Sequence, residues 1–136
     1  MRYMLLIYQD ENLLSESDRA HCYEESAGVA RELQASGNYV GAGPLYPTST
    51  ATSVRVRDGK RLVTDGPFAE TREQLGGYYL IEAENLDRAI EIAARLPGGR
   101  WGTVEIRPVL EVQGLPEVQR QHHKETNDAN ESTSQF

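Results

Sequence analysis

Residues 63–82 read Val63-Thr-Asp-Gly-Pro-Phe-Ala-Glu-Thr-Arg-Glu-Gln-Leu-Gly-Gly-Tyr-Tyr-Leu-Ile-Glu82, and they contain a turn, a charged loop and an apolar strand. Successive side chains of a strand point to opposite faces of its sheet. Tyr78 and Leu80 are therefore expected on one face, and Tyr79 and Ile81 on the other. A strand that is apolar on both faces is typical of the centre of a sheet whose two faces are covered.

The first strand of the chain has the same character. Residues 2–8 form a short apolar run whose side chains again alternate between two apolar faces. A capping box at Ser15 and Asp18 then predicts a helix over residues 16–36, with Gly37 as its stop signal. The face of this helix is predicted from spacings of three and four to carry Tyr23, Ala27, Ala30 and Leu33.

The remaining elements complete an α+β domain. Asp58-Gly59 is typical of a two-residue hairpin turn between strands at 53–57 and 61–64. Asn85 is expected to cap a second helix, whose apolar stripe is Leu86, Ala89, Ile90, Ala93 and Leu96. Further strands are predicted at 39–46, 77–83 and 103–112.

The order without the hairpin is β-α-β-β-α-β, which predicts a ferredoxin-like domain with an inserted hairpin. Two helices cover only one face of such a sheet, and monomers rarely expose a large apolar patch. We therefore expect a homodimer that forms through the uncovered sheet face. The alternative is that the hairpin at 53–64 folds over this face of its own chain.

Composition excludes several classes of protein. The net charge is -7, with 14 basic and 21 acidic residues among 136, which argues against sequence-independent binding to nucleic acid or to an anionic membrane. The chain has one cysteine, Cys22, so it forms no intrachain disulfide. No apolar run approaches the roughly 20 residues of a membrane helix, and we expect a cytoplasmic protein. Residues 1–112 are predicted to be the domain, and 113–136 a polar, disordered tail.

Asp65 is the candidate catalytic residue. Gly66 permits a positive φ and Pro67 fixes its own φ, so the Asp65-Gly66-Pro67-Phe68 turn is expected to be stiff, with Phe68 as a buried anchor. A carboxylate that is held by such a turn beside apolar surface can act as a general base or as a polar anchor. The purely structural alternative is that Asp65 only bonds backbone N–H groups of the turn.

Three further residues are candidates for substrate binding. Glu70 and Arg72 lie near the entry to the central strand, where an arginine can hold a carboxylate in bidentate fashion. Tyr46 belongs to a polar loop at the rim of the predicted cleft. The alternative is an ordinary solvated loop, and for Glu73 an ion pair within the loop is the better interpretation.

No metal or cofactor site is predicted. The histidines are His21, His122 and His123, and they form no zinc-type spacing with other ligands. His21 and Cys22 are adjacent on a helix, so their side chains point in different directions and do not pair. The chain contains neither a P-loop nor a dinucleotide-binding glycine motif.

The chain resembles the DGPF branch of the YCII-related proteins over about residues 1–112. The motifs that carry this resemblance are Tyr3-Met-Leu-Leu-Ile-Tyr8, Gly43-Pro-Leu, Ala51-Thr-Ser-Val-Arg-Val-Arg-Asp-Gly59, Val63-Thr-Asp-Gly-Pro-Phe-Ala-Glu-Thr71, Glu73-Gln-Leu-Gly-Gly-Tyr-Tyr-Leu-Ile-Glu82 and Val104-Glu-Ile-Arg-Pro-Val109. The resemblance implies a ferredoxin-like unit that assembles into a dimeric α+β barrel.

The resemblance implies less about the reaction. Some YCII-related proteins carry a His–Asp pair in a cleft, and one relative removes chloride from a chlorinated hydroxyquinone. The position of the family histidine corresponds to about Ser26 here, and that of the aspartate to residues 96–99, which read Leu-Pro-Gly-Gly. Neither partner is matched, so Asp65 is the candidate that belongs to the DGPF branch itself.

Two functions follow as hypotheses. The first is a small-molecule-binding protein or an enzyme, with lyase- or isomerase-like activity, whose cleft lies between sheet and helices in each protomer near Asp65. The second is a non-catalytic regulatory module that binds a protein such as a sigma factor, because members of this branch are often encoded near extracytoplasmic-function sigma factors. A filled core without a pocket would favour the second hypothesis.

Overall fold

The structure is a computed structural model that describes residues 1–117. The predicted tail, 113–136, lies mostly outside the described residues, and its boundary stays a prediction. The elements of the described part are β1 (Arg2–Gln9), α1 (Glu16–Ala35), β2 (Tyr39–Pro44), a 3-10 turn (Thr48–Thr50), β3 (Thr52–Arg57), β4 (Lys60–Asp65), β5 (Gln74–Glu82), α2 (Leu86–Arg95), α3 (Gly98–Trp101) and β6 (Gly102–Pro108).

Four strands form one antiparallel sheet in the order β2-β5-β1-β6, and β3 pairs with β4 in a separate two-stranded sheet. The predicted ferredoxin-like α+β fold is confirmed. The two strands that are apolar on both faces, β1 and β5, occupy the centre as expected.

Side-chain caps begin both long helices. The Ser15 hydroxyl accepts a hydrogen bond from the backbone N–H of Asp18, at 3.0 Å. The Asn85 side chain accepts one from the N–H of Arg88, at 2.9 Å. Each bond satisfies an N–H group that has no partner within its helix, so these short polar residues set where the helices start.

The core lies between the helices and one face of the sheet. Register places Leu5 of β1 between Tyr79 of β5 and Ile106 of β6, with their side chains on the helix side. The buried residues of this cluster are Tyr3, Leu5, Val29, Leu33, Tyr79, Ile81, Ala83, Ala89, Ile92, Ala93 and Leu96.

The opposite face of the sheet, which we call the outer face, carries no helix. The apolar side chains that the two central strands place on it include Met4, Leu6, Tyr8, Leu75, Tyr78 and Leu80. Tyr78 is 37% exposed. The segment that follows β6 lies beside Leu80 at one end of this face.

The inserted hairpin is not the cover of the outer face. Its apolar side chains remain exposed, including Val54 at 59%, Val56 at 62% and Val63 at 57%. The alternative that this hairpin folds over its own sheet is therefore wrong. Register explains its two-sided character, because Val54 pairs with Val63 on one face while Arg55 pairs with Leu62 on the other.

Two details differ from the sequence prediction. On α2 the residues that pack are Ala89, Ile92 and Ala93, while the predicted stripe members Leu86 and Ile90 are half exposed. Both stripes satisfy the helical period, and only packing against the sheet selects between them. The second difference is α3, a single helical turn that follows Pro97, although Pro97-Gly98-Gly99 is by its composition a signal for the end of a helix.

Candidate functional site

A cavity of about 310 Å³ lies between α1 and the sheet. It sits under the N-terminal half of the helix, and we call it the α1 cavity. The helix contributes residues from Arg19 to Ala30, and β5 contributes residues from Gly76 to Tyr79. Its position, between sheet and helix within one protomer, is the one predicted for a cleft.

Small residues explain why the cavity exists. Gly77 lies on the helix side of β5, paired with Ile7 of β1 and with Pro44 of β2. A Cβ atom at Gly77 would lie 3.1 Å from the carbonyl oxygen of Gly43, so the close approach of β2 favours glycine here. Glycine leaves the sheet bare at this point, and three of the helix residues that line the cavity have small side chains, namely Ser26, Ala27 and Ala30.

The two halves of α1 differ in packing for the same reason. The buried residues of the helix are Val29 and Leu33, both in its second half. Tyr23 and Ala27, which were predicted to face the core, are exposed, although both line the cavity. The first half of the helix therefore forms a roof over a space instead of packing against the sheet.

Arg19 is the charged residue that lines the cavity among residues 1–117, and no aspartate or glutamate of that range lines it. Its Nη2 atom donates a hydrogen bond to the backbone carbonyl of Glu11, at 3.3 Å. A guanidinium has five N–H donors, so this long bond leaves most of them available to a ligand. The neutral polar groups of the lining include Gln9, Cys22, Ser26 and Tyr39.

Tyr79 has a fixed protonation state at the floor of the cavity. Its hydroxyl donates a hydrogen bond of 2.5 Å to the backbone carbonyl of Ser26. Burial raises the pKa of this phenol above its ordinary value. Tyr79 therefore remains a neutral donor at physiological pH and is not a general base.

Cys22 lines the cavity, and the charges of the Glu25–Arg100 ion pair act on its thiol. Burial, and next the charge of Glu25, raise the pKa of the Cys22 thiol. Arg100 of α3 donates to both carboxylate oxygens of Glu25, at 2.7 and 2.9 Å. This hydrogen bonding lowers the pKa of Glu25, and it ties α3 to the first half of α1.

A second set of bonds connects the loops around the cavity. The Glu11 carboxylate accepts hydrogen bonds from the backbone N–H and the hydroxyl of Thr48, at 2.8 and 2.9 Å. The backbone N–H of Glu11 donates to the side chain of Gln74 at the start of β5, at 3.0 Å. The loop after β1 is thus joined to the 3-10 turn and to the central strand.

The structure places the predicted site residues outside the α1 cavity. Asp65, at the end of β4, is exposed, and so are Glu70 and Arg72 in the loop that follows. Tyr46 is 86% exposed. None of these four residues lines the cavity, so Asp65 as the catalytic residue and the other three as substrate contacts stay predictions.

The backbone of the turn after Asp65 is as predicted, but the predicted aromatic anchor is not buried. Gly66 has a φ of 97°, its N–H donates to the carbonyl of Ala51 at 2.7 Å, and its own carbonyl accepts from the Ser53 hydroxyl at 2.8 Å. Phe68 was expected to be buried and is 80% exposed, so that prediction is wrong. The turn is held by hydrogen bonds to Ala51 and to Ser53 of β3, and not by an aromatic side chain.

Within residues 1–117, no group of three or more histidine, cysteine, aspartate or glutamate side chains is arranged to hold a metal ion. No α-helix in the same part of the chain has the length and apolar character needed to cross a membrane.

The glycine pair Gly76-Gly77 is the sequence signal that could have predicted the cavity. Glycine inside a central strand often marks a place where a ligand or a backbone approaches closely. The pair is part of a motif that carries the family resemblance, and no cavity was predicted from it. Arg19 carried no signal, because a lone arginine in the first turns of a helix is common on protein surfaces.

Comparison with known proteins identifies relatives of the whole domain. The model of the YCII-related domain matches residues 1–113. An uncharacterised protein of Rhizobium meliloti (strain 1021) is 41% identical over 118 residues, which cover 80% of this chain and 92% of that protein.

One solved structure has a similar fold. It is 5-chloro-2-hydroxyhydroquinone dehydrochlorinase from Burkholderia phenoliruptrix AC1100, in complex with 2,5-dihydroxybenzoquinone. The TM-score is 0.53 and the identity 14%, over 83% of this chain and 97% of the enzyme. At this identity the similarity concerns the fold alone.

Proposed function

We propose that this chain, which belongs to the YCII-related family, binds a small molecule in the α1 cavity. The observation that carries this proposal is the cavity itself. Its volume of about 310 Å³ lies at the lower end of the range of about 300–1,000 Å³ for small-molecule sites. Apolar walls with a few convergent polar groups are the usual composition of such sites.

The structural neighbour supports a compact ligand. The dehydrochlorinase was solved in complex with 2,5-dihydroxybenzoquinone, which is a single ring. Its reaction does not transfer, because this chain has Ser26 where the family histidine is expected, and Leu96-Pro97-Gly98-Gly99 where the aspartate is expected. Binding of a small ring is thus proposed here, and the dehydrochlorination of the neighbour is not.

Asp65 is kept as the proposed acid–base group, with Glu70, Arg72 and Tyr46 as proposed substrate contacts. This part of the proposal is separable from the cavity, because these side chains lie outside it in a single copy of the chain. Asp65→Asn changes the charge with little change in shape and therefore tests it.

The protein is further proposed to act as a homodimer that buries the outer face. Leu6 and Tyr78 pair across the two central strands on this face, and Leu80 pairs with Met4. Charged residues of β6, Glu105 and Arg107, lie at its side. An apolar centre with a polar rim is the usual composition of a specific interface.

A cavity-filling variant tests the proposed function. Ala30 lines the cavity, so Ala30→Leu should remove space that a ligand needs, while Ala35→Leu on the exposed end of the same helix should not. The measurement is binding of 2,5-dihydroxybenzoquinone by ligand-observed NMR, with thermal unfolding as the control for folding. We expect binding to the wild type and to Ala35→Leu, and at least about tenfold weaker binding to Ala30→Leu.

Equal binding by a folded Ala30→Leu variant would place the ligand elsewhere and overturn the proposal. Asp65→Asn is measured in the same series. Unchanged binding and turnover in that variant would remove Asp65 from the site and leave the cavity proposal standing.

A filled core without a pocket would have favoured the second hypothesis, a non-catalytic module that binds a sigma factor or another stress regulator. The open space under α1 favours the small-molecule hypothesis over it. We therefore place the regulatory alternative second. A pull-down that captured one stoichiometric regulator, with no effect of Ala30→Leu on any small-molecule probe, would reverse this order.

A further inference from the structure

We propose that the ligand of the α1 cavity is a single-ring organic monoanion, a carboxylate or a phenolate, whose charged oxygen is bound by Arg19. This inference rests on the proposed function and adds the chemical class of the ligand. It is carried by three observations: the volume of the cavity, the charge of its lining and the contacts of Arg19.

The volume of the cavity fits a compact ligand. An apolar cavity of about 150 Å³ is known to hold one benzene molecule. The α1 cavity, at about 310 Å³, therefore has room for one substituted ring, and for two rings only without substituents. The apolar walls around Ile7, Leu14 and Pro97 favour a ring over a strongly hydrated molecule.

The charge of the lining selects an anion. The whole chain has 21 acidic and 14 basic residues, yet among residues 1–117 the cavity is lined by Arg19 and by no carboxylate. The lining is therefore positive in an acidic protein. A cationic ligand would be repelled by Arg19, and a neutral one would leave it without a charged partner.

The contacts of Arg19 leave it able to bind a ligand. No carboxylate of residues 1–117 forms an ion pair with it, while six other ion pairs are present in the same range. Its bond to the Glu11 carbonyl, at 3.3 Å, is long for an N–H···O bond. The Glu11 carboxylate is not a competitor, because Thr48 donates two hydrogen bonds to it.

Matched probes test this proposal on the full chain. Benzoate, benzamide and benzylamine have the same ring and nearly the same size, but they are negative, neutral and positive at pH 7. Titration calorimetry should give at least about tenfold tighter binding of benzoate than of benzamide, since charge-assisted hydrogen bonds are about twice as strong as neutral ones. Benzylamine should bind most weakly. A further titration with 4-nitrophenolate, above neutral pH, distinguishes a phenolate site from a carboxylate site.

A charge variant assigns the preference to Arg19. Arg19→Gln should bind benzoate and benzamide equally, while Arg31→Gln, an exposed position on the same helix, should keep the wild-type ratio. Circular dichroism and thermal unfolding check that both variants fold.

The outcomes separate this inference from the proposed function. If benzamide binds as tightly as benzoate, and Ala30→Leu weakens both, the cavity is a binding site but the anion preference is wrong. If benzoate keeps its advantage in Arg19→Gln, Arg19 is not the anchor and the inference is overturned. If no probe binds and Ala30→Leu has no effect on any ligand, both proposals are wrong.

Discussion

At the residue scale, replacing glycine by alanine at two positions with different surroundings should change the free energy of unfolding in opposite directions. A Cβ at Gly102, the first residue of β6, would collide with the backbone carbonyl oxygen of Tyr8. Gly28, inside α1, has space, with only the Arg31 guanidinium near, at 3.8 Å. We expect Gly102→Ala to lower the free energy of unfolding by about 1–3 kcal/mol, because overpacking forces the strand pair apart.

Gly28→Ala should instead raise the free energy of unfolding by about 0.5–1 kcal/mol, because alanine is the better helix former. Urea denaturation of both variants gives the two changes, and the slope of unfolding checks that neither alters the unfolded state. A stabilising Gly102→Ala would mean that β6 is not as close to β1 as the structure has it.

Cys22 provides a pH-dependent test at the same scale. Its raised pKa means that less thiolate is present at pH 8 than in free cysteine, and the thiolate is the reacting form. Alkylation by iodoacetamide should therefore be slower in the folded protein than in the unfolded protein at pH 8, and the difference should shrink as pH rises above the folded pKa. Mass spectrometry follows the reaction, since Cys22 is the only thiol.

Glu25→Gln is the matched variant for this measurement. It removes the negative charge that helps to raise the pKa of the thiol, and it leaves Arg100, which lowers that pKa, without its partner. Both changes favour the thiolate, so labelling at pH 8 should become faster. A slower reaction in Glu25→Gln would mean that access, and not ionisation, limits the rate.

The candidate site also shows what single residues do and do not reveal. The turn at Asp65-Gly66 was predicted because glycine and proline act on the backbone locally. A cleft between sheet and helices was predicted, but the residues that line it were not, because the cavity arises where Gly77 of one strand and Ala30 of a helix meet, far apart along the chain. Burial of Phe68 was wrongly expected, because a large apolar residue beside a turn carries no information about what packs on it.

At the element scale, α1 should have two halves of different stability. Residues 16–26 include no buried side chain, while Val29 and Leu33 anchor the second half to the core. Amide hydrogen exchange should be faster in 18–26 than in 27–34, since local opening depends on the apolar contacts that must be broken. Both helix ends fray, so the difference between halves reports packing.

A ligand in the cavity should slow exchange mainly in residues 19–30 of α1, the part of the helix that lines the cavity. The comparison helix is α2, whose Ala89, Ile92 and Ala93 are buried and which does not line the cavity. Exchange in α2 should not change on ligand addition. Equal protection from exchange along the whole of α1 in the absence of ligand would contradict the weaker packing of its first half against the sheet.

Elements with local signals were predicted, and elements that depend on tertiary packing were not. Ser15 and Asn85 mark the helix starts, because capping is a contact between near neighbours. The turn of α3 was missed, because Pro97-Gly98-Gly99 reads as a stop. Its Arg100 pairs with Glu25, which lies 75 residues earlier in the chain.

At the scale of the whole molecule, the uncovered outer face is the feature that sequence predicted best. The alternation of apolar residues in β1 and β5 indicated two apolar faces, and the helices do cover only one of them. The pattern did not indicate that the hairpin leaves that face uncovered. The apolar side chains Val54 and Val63 suggested that the hairpin packs on something, but both are exposed, and no local rule determines where a hairpin packs.

The homodimer proposed on this face gives the last prediction. The chain has a mass of 15.2 kDa, so light scattering at micromolar concentration should give about 30 kDa, twice that value, for the wild type. Leu6→Glu should shift the mass to that of one chain, because it places a carboxylate at the centre of the outer face, directly beside Glu105.

Leu86→Glu is the matched control, since Leu86 is 50% exposed on α2 and a carboxylate is favourable at a helix start. This variant should keep the mass of two chains. A wild type that scatters as a single chain, with the outer face then exposed to water, would contradict the proposed assembly. The same mass for Leu6→Glu and wild type, at two chains each, would mean that the copies meet through another surface.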